Sequence, residues 1–433
     1  MTAQEQERPA KAAQPPGASG RVSPVTRVWD GTMRLLRSGG TTRVSTAPIP
    51  AGAISRVLLL WGVGRAVNLL ILFGWYQISR AAGWGFGPES QPVTTFLNFL
   101  SDWDGARYGR ISQVGYPTWL PLAPSGVVQP NDWAFLPVFP WLERVISDAL
   151  GIPWQAAGVG ISILASAGAT VMLYLLLHRI TTPKAAWWGV VLFSISPLSF
   201  VFVLAYAESL ILMLLFACLL LAVNRRYAWI APVGVLAAYV RPGGLAIALA
   251  LGVVFLVRWA RRAEDPFPAA QRWGIIVSAG LISVAGLSWS YIAQAVTGTR
   301  DAYVRTEIAW WIPFVGDGHF VPLTPWFRFW GTYAGILGVL MVLTIAGAFI
   351  VWMRSRPIRG LGIEVWAFVA GYGLYLFAVF LPQQSLFRLL MPMAPLLADE
   401  RLSSTVRRRR LGVVVCLVLQ VVAVLLLWTI GWP

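Results

Sequence analysis

Charge is scarce in this chain. Asp, Glu, Lys and Arg make up 12% of its 433 residues, about half of the roughly 25% usual for a water-soluble domain. That deficit, with 57% hydrophobic residues and a mean hydropathy of +0.66, excludes an ordinary soluble enzyme. Cysteine is nearly absent. Cys218 and Cys416 both lie within apolar runs, which excludes a disulfide framework or a cysteine metal site. The two histidines, His178 and His319, are too few for a histidine-rich metal centre. Lysine occurs only at positions 11 and 184 while arginine supplies the other basic residues, a bias expected of a high-GC bacterial genome.

Apolar runs of roughly 20 residues, the length of a membrane-crossing helix, are present in quantity. The expected spans are 54–79, 154–178, 185–203, 207–223, 228–240, 242–258, 273–296, 326–353, 361–381, 388–400 and 411–431. The fold class predicted is an all-α polytopic membrane protein of about eleven helices. Residues 1–52, rich in Pro, Gly, Ala, Ser and Arg without apolar periodicity, read as a disordered tail, and 53–433 as one transmembrane domain. The first run starts too far in, and is too long, for a cleaved signal peptide.

The net charge of +16 is distributed unevenly. Alternate threading puts the tail, 179–184, 224–227, 258–272, 354–360 and 401–410 on one side, which with the adjoining helix-end residues Arg56, Glu364, Asp399 and Glu400 holds 24 of the 34 basic and eight of the 18 acidic residues. The other side carries ten of each. The positive-inside rule makes the basic side cytoplasmic, N-terminus included. The charge is topogenic, so no nucleic-acid partner is needed to explain it, although Arg407 to Arg410 could also bind anionic lipid. The neutral outer face holds the two longest connections, 80–153 and 297–325, both rich in Trp, Tyr and Phe. Long loops of ordinary complexity are usually functional, so chemistry is expected outside the membrane. The absence of an obvious internal repeat and of charges within most spans weighs against a transporter.

Within the first loop, Phe96, Phe99, Leu100, Trp103, Ile111 and Val114 share one stripe at 100° per residue, predicting a single interfacial helix over 96–114. On it Asp102 and Asp104 would point about 160° apart and could not act as a pair. Asp104 would sit at the edge of the apolar stripe, facing the bundle. Ser101-Asp-Trp-Asp104 also fits a capping box, and Arg107 is placed for an ion pair with Asp104, so a structural role stands beside a catalytic one. Arg241 and Arg388 fall at outer helix ends, where they can meet a lipid phosphate, snorkel to the interface or, for Arg241, pair with Glu208. Arg65 within the first span reads as a structural partner in the bundle. In the second loop Arg300-Asp-Ala-Tyr-Val-Arg305-Thr-Glu307, Trp310-Trp311 and Asp317-Gly-His319 put aromatics beside charges. That suits a sugar-binding wall, though interfacial anchoring explains the tryptophans equally well. His319 reads as a solvated loop residue.

Several of these segments together resemble the PIG-V family of mannosyltransferases. Trp103-Asp104-Gly-Ala-Arg-Tyr108 with Ile111 and Gly115-Tyr116 is similar to the family's WD…IA..GY signature. Phe135-Leu-Pro-Val-Phe-Pro140, Tyr206-Ala-Glu208-Ser209, Val240-Arg241-Pro-Gly-Gly244 and Ser385-Leu-Phe-Arg388 with Pro392 and Pro395 resemble later elements in the same order, covering about 55–400. Gly243 stands where the family has Asn, and Leu389 where it has Tyr. The resemblance implies a GT-C helical bundle in the plasma membrane with an extracytoplasmic active site. Mannose would pass from a polyprenyl-phosphate donor to a glycolipid or glycan acceptor, with inversion. It maps the general base onto Asp104 and makes Asp102, Arg107, Tyr108, Glu208, Arg241, Arg300, Arg305 and Arg388 candidates for substrate binding. This chemistry calls for no metal or cofactor, and no acidic cluster to hold a metal stands out. The same fold could serve another polyprenyl-phosphate sugar, such as glucose or arabinofuranose, and a lipid or sugar transporter is the alternative of a different class.

Overall fold

The computed structural model describes residues 44–45, 47–86, 91–92 and 95–430. Most of the expected N-terminal tail therefore lies outside the described residues. Apart from one two-stranded ladder, Gly85–Phe86 with Gln91–Pro92, the described chain is helical.

Among the described residues six helical segments are long and apolar enough to cross a membrane, two of them counted with an adjoining turn as Pro242–Ala260 and Val406–Thr429. They are α1 (Ala53–Ala81), α5 (Trp154–Ile180), α9 (Leu245–Ala260), α10 (Ala269–Thr297), α12 (Pro325–Met353) and α14 (Val406–Val424). Three shorter apolar helices pack among them: α7 (Glu208–Val223), α8 (Ile230–Ala238) and α13 (Ile363–Val379). Two expected spans are broken instead. The span 185–203 is α6 (Pro183–Ser194) followed by a 3₁₀ turn, Ser199–Val203. The span 388–400 is largely a 3₁₀ helix, Met391–Ala398, because Pro392 and Pro395 remove the donors an α-helix needs. It descends from the level of Arg388 to Thr181, whose hydroxyl donates to the Ala398 carbonyl at 3.2 Å.

The helices expose apolar side chains outward. On α12 only 11% of the most apolar stretch is buried, and Ile336, Leu337 and Val351 stand out from the bundle. In water such a surface would drive aggregation; in lipid it costs nothing. The same helix bends at Gly335, whose φ of 55° a side chain would resist. Inside, α5 packs along α7, and α9 lies between α10 and α13.

Arg65 of α1 is buried, as a structural partner should be. Its guanidinium donates to the Ser194 carbonyl at 2.6 Å and the Ser199 carbonyl at 3.3 Å, and lies over the Phe202 ring. The Ser194 carbonyl is freed where α6 ends, so the cation and the break satisfy each other.

The first long connection holds α2 (Phe96–Leu100), α3 (Asp104–Val114) and α4 (Val138–Leu150). The single helix expected over 96–114 is two, and the capping box does not form. Ser101 turns its hydroxyl back to the Leu97 carbonyl at 2.7 Å, and Asp102 accepts the Trp103 N–H at 2.7 Å. Short polar side chains compete with the helix for these backbone groups. The Leu100 carbonyl accepts from Ala205 N–H at 2.9 Å, so a neighbouring segment replaces the helical bond. Farther along, Tyr116, Trp133 and Trp289 stack at 4.7 and 5.2 Å, and Trp289 Nε1 donates to the Trp133 carbonyl, tying this connection to α10.

Candidate functional site

The break before α3 sets the position of Asp104. Trp103 adopts φ 54°, a backbone state that costs a bulky residue about 1–3 kcal/mol, and turns the chain so that Asp104 opens the helix. The Asp104 N–H donates to the Tyr206 hydroxyl at 3.2 Å. Tyr206 is itself clamped by Ser162 of α5, which donates to its carbonyl at 2.8 Å and accepts its N–H at 3.2 Å. As the first residue of a helix, Asp104 also lies in the favourable field of the helix N-terminus.

Three further motifs meet there. Arg388 Nη1 lies 2.6 Å from Asp104 Oδ2 and 2.7 Å from Glu208 Oε1. Arg241 pairs with the same Glu208 oxygen. Glu208 and Arg388 are almost wholly buried, while Asp104 keeps 21% of its side chain exposed. Two carboxylates and two guanidiniums sum to zero charge, which is how four ions can share a dry site. Their hydrogen bonding is nonetheless incomplete: Glu208 Oε2 and Arg388 Nε are buried without partners. Such atoms are rare unless something else satisfies them.

The cluster faces a cavity of about 520 Å³, the size range of small-ligand sites. Asp104, Arg107, Tyr108, Glu208, Arg241 and Arg388, all singled out from sequence, line it. Arg107 pairs with Asp132 at 3.5 Å, not with Asp104, and lies over the Trp310 ring. Arg110 forks across both Asp132 oxygens, Nη2 donating to Oδ1 at 2.5 Å and Nε to Oδ2 at 2.7 Å. Burial pushes the Tyr108 hydroxyl well above its usual range, so it stays protonated. Asp102, Arg300 and Arg305 do not line the cavity. The Asp102 carboxylate serves the Trp103 N–H, and burial raises its pKa against that bond. Arg300 is 91% exposed beside Asp301, and Arg305 is exposed.

From the second-loop segment that suits a sugar-binding wall, the structure brings Tyr303, Glu307 and Trp310 to the cavity, and it adds Tyr372, Tyr375 and Gln383, which the sequence did not single out. Tyr303 and Glu307 are one turn apart on α11 (Ala302–Ala309), so a period-of-four reading of the second loop would have paired them. Tyr372 and Tyr375 lie in an apolar helix, where nothing in the sequence distinguishes a cavity-facing tyrosine from a packed one. Among the described residues no three His, Cys, Asp or Glu side chains are grouped so as to hold a metal ion.

Fold and site together define a multi-pass, all-helical membrane protein with a charged cluster opening into one cavity at an end of its bundle. No family model matches the chain, and no curated protein matches it. Among solved structures it is similar to ArnT from Cupriavidus metallidurans bound to undecaprenyl phosphate, with 13% identity and a TM-score of 0.49. The match covers 87% of this chain and 65% of that one, so this chain spans a little less than two thirds of ArnT's length.

Proposed function

We propose that this chain is an inverting mannosyltransferase of GT-C type, transferring mannose from a polyprenyl-phosphate carrier to a lipid-linked or glycan acceptor at the outer face of the plasma membrane. The carrying observation is that Asp104, Glu208, Arg241 and Arg388, from four separated motifs, meet as one ion-paired cluster on a single cavity. In the proposed step the acceptor hydroxyl attacks the anomeric carbon from the face opposite the phosphate. Its proton passes to Asp104 as the new C–O bond forms. The old C–O bond breaks, and its electron pair leaves on the polyprenyl phosphate. The planar forks of Arg388 and Arg241 suit that phosphate. A phosphate drawing Arg388 to itself would also loosen the Arg388–Asp104 pair, leaving the carboxylate free to take a proton. Glu208 holds both arginines ready and keeps them from repelling each other.

The test is transfer of labelled mannose from synthetic polyprenyl-phosphate mannose in membranes containing the wild type or Asp104→Asn. Asparagine keeps the shape and cannot take the proton, so transfer should fall by about 10²–10⁴-fold in protein that is still folded and inserted. Persisting transfer would move the base to another carboxylate, Asp102 or Glu208. A wild type inactive with mannose, glucose and arabinofuranose donors alike would overturn the enzyme reading.

A further inference from the structure

The cavity has two chemically different ends. At one, every charged group is paired with another. At the other, α11 presents Tyr303 and Glu307 on the same face, both lining the cavity. An adjoining face of α11 is fastened to the first long connection, where Asn131 Nδ2 donates to Thr306 Oγ1 at 3.0 Å and Thr306 donates back to Asn131 Oδ1 at 3.2 Å. The helix is therefore a rigid platform. The partner of the Glu307 carboxylate is a phenol, Tyr303, and Arg241 acts on it only through its field. One turn further on, Trp310 also lines the cavity and carries a buried indole N–H without a hydrogen-bond partner. Tyr375 of α13 also lines the cavity, near Tyr303 and Glu307.

A carboxylate with spare lone pairs, an unpartnered N–H donor and aromatic faces within one pocket match a particular ligand chemistry. A pyranose ring offers adjacent hydroxyls as donors, ring and hydroxyl oxygens as acceptors, and a C–H face that packs on aromatic rings. A phosphate would be repelled by Glu307, and a purely apolar chain would leave the carboxylate and the indole N–H unsatisfied.

We infer that Glu307, Tyr303 and Trp310 form a sugar-hydroxyl subsite, separate from the arginine cluster, that grips the ring of one of the two sugar substrates. This rests on the transferase reading above. In it Glu307 is a binding residue and takes no proton from the reacting hydroxyl. The sugar could belong to the donor or the acceptor, and the experiment distinguishes them. Burial raises the Glu307 carboxyl to about 7, opposed by the Tyr303 hydrogen bond and the Arg241 charge. The titratable and charged groups facing it are Tyr303 on its own helix, Tyr375 on α13 and Arg241 before α9. Acid below that value would protonate it and remove an acceptor from the subsite.

The test uses the full chain in nanodiscs, as wild type, Glu307→Gln and Tyr303→Phe. Binding of polyprenyl-phosphate mannose and of bare polyprenyl phosphate is followed by tryptophan fluorescence, beside transfer kinetics at varied pH. If the donor sugar is gripped, the wild type binds the mannosyl lipid more tightly than the bare lipid. Glu307→Gln then loses at least tenfold of that difference, with bare-lipid affinity intact. If the acceptor sugar is gripped, donor binding is unchanged and acceptor KM rises at least tenfold, with kcat within about threefold. In either arm the affected constant of the wild type weakens as pH falls through about 7, and that limb vanishes in Glu307→Gln. Tyr303→Phe, which keeps the ring, should give a smaller loss of the same kind. Unchanged binding, KM and pH profile in Glu307→Gln would overturn the subsite, as would a fall in kcat at constant KM. A wild type that discriminates the two lipids through Glu307 but transfers nothing would keep the subsite and refute the transferase. A wild type that neither discriminates the lipids nor shows a Glu307-dependent acceptor KM would refute the subsite.

Discussion

At the scale of single residues, the chain puts acidic groups in three different surroundings, and each has its own consequence. Glu208 is buried yet bonded to two arginines, so its charge is retained. Glu307 faces a phenol in a cavity. Glu143 on α4 is fully buried with neither carboxylate oxygen hydrogen-bonded, and burial pushes its pKa up to about 9. It packs where Gly158 leaves room on α5. A carboxyl raised in the folded state is protonated there while the unfolded chain has released its proton. Stability is then fully present in acid and declines as pH rises from the normal carboxylate value to about 9, with a slope approaching about 1.4 kcal/mol per pH unit. Glu143→Gln mimics the protonated form. Its melting temperature relative to wild type should climb steadily between pH 6 and 8.5, measured by thermal unfolding in detergent. Parallel curves for the two proteins would show that Glu143 is ionised and compensated.

At the scale of elements, the site depends on how closely α3 approaches α5. Gly109 is buried on α3 beneath the Trp154 ring, and a Cβ at that position would run into the indole. An aromatic ring at a helix start has little room to retreat, so the helix carrying Asp104 must shift instead. Gly109→Ala should cost about 1–3 kcal/mol by overpacking. It should also lower transfer more than an equally destabilising substitution far from the cavity, because Asp104 moves relative to Arg388. Comparing melting temperature with initial rate for both variants tests this; equal rates would mean that α3 tolerates the displacement. Asp104 was legible as the candidate base, but the capping box assigned to it was not formed. The apolar stripe over 96–114 predicts one continuous helix where the structure has two, and of its members on α3 Ile111 is buried while Val114 stands exposed. Local periodicity carries no information that Ala205, a hundred residues away, will take the Leu100 carbonyl.

At the scale of the whole molecule, the cavity residues come from one set of helix ends. Glu208 begins α7, Arg241 precedes α9, and Tyr375 lies near the end of α13. Arg179, Arg225, Arg262 and Arg354 lie at the opposite ends. The orientation proposed from the positive-inside rule has the arginine-rich end in the cytoplasm and the cavity outside. Two exposed positions test this by cysteine labelling in a background lacking Cys218 and Cys416. Arg300→Cys, in the second outer connection, should react with an impermeant maleimide in intact cells. Arg262→Cys should react only after permeabilisation. The reverse pattern would invert the molecule and remove the outer-face reading.

Membrane insertion, the approximate spans and the asymmetry of charge were determined by the sequence alone, because each depends on composition summed over many residues and lipid rewards apolar length whatever the neighbours. The charged motif residues Asp104, Arg107, Glu208, Arg241 and Arg388 were also visible, since charge is costly near a bilayer and stands out in so apolar a chain, while Tyr108 entered through the family resemblance alone. Only the tertiary structure decided their partners. Arg107 could have joined Asp104 one turn away but binds Asp132, while Arg388 crosses the chain to reach both Asp104 and Glu208. It alone separated Arg300 and Arg305, turned to solvent, from Tyr303 and Glu307 on the cavity face of the same short helix region. The reason is physical: burying a charge is favourable only where a counter-charge or hydrogen-bond partner is already in place, and those partners come from distant segments of the chain.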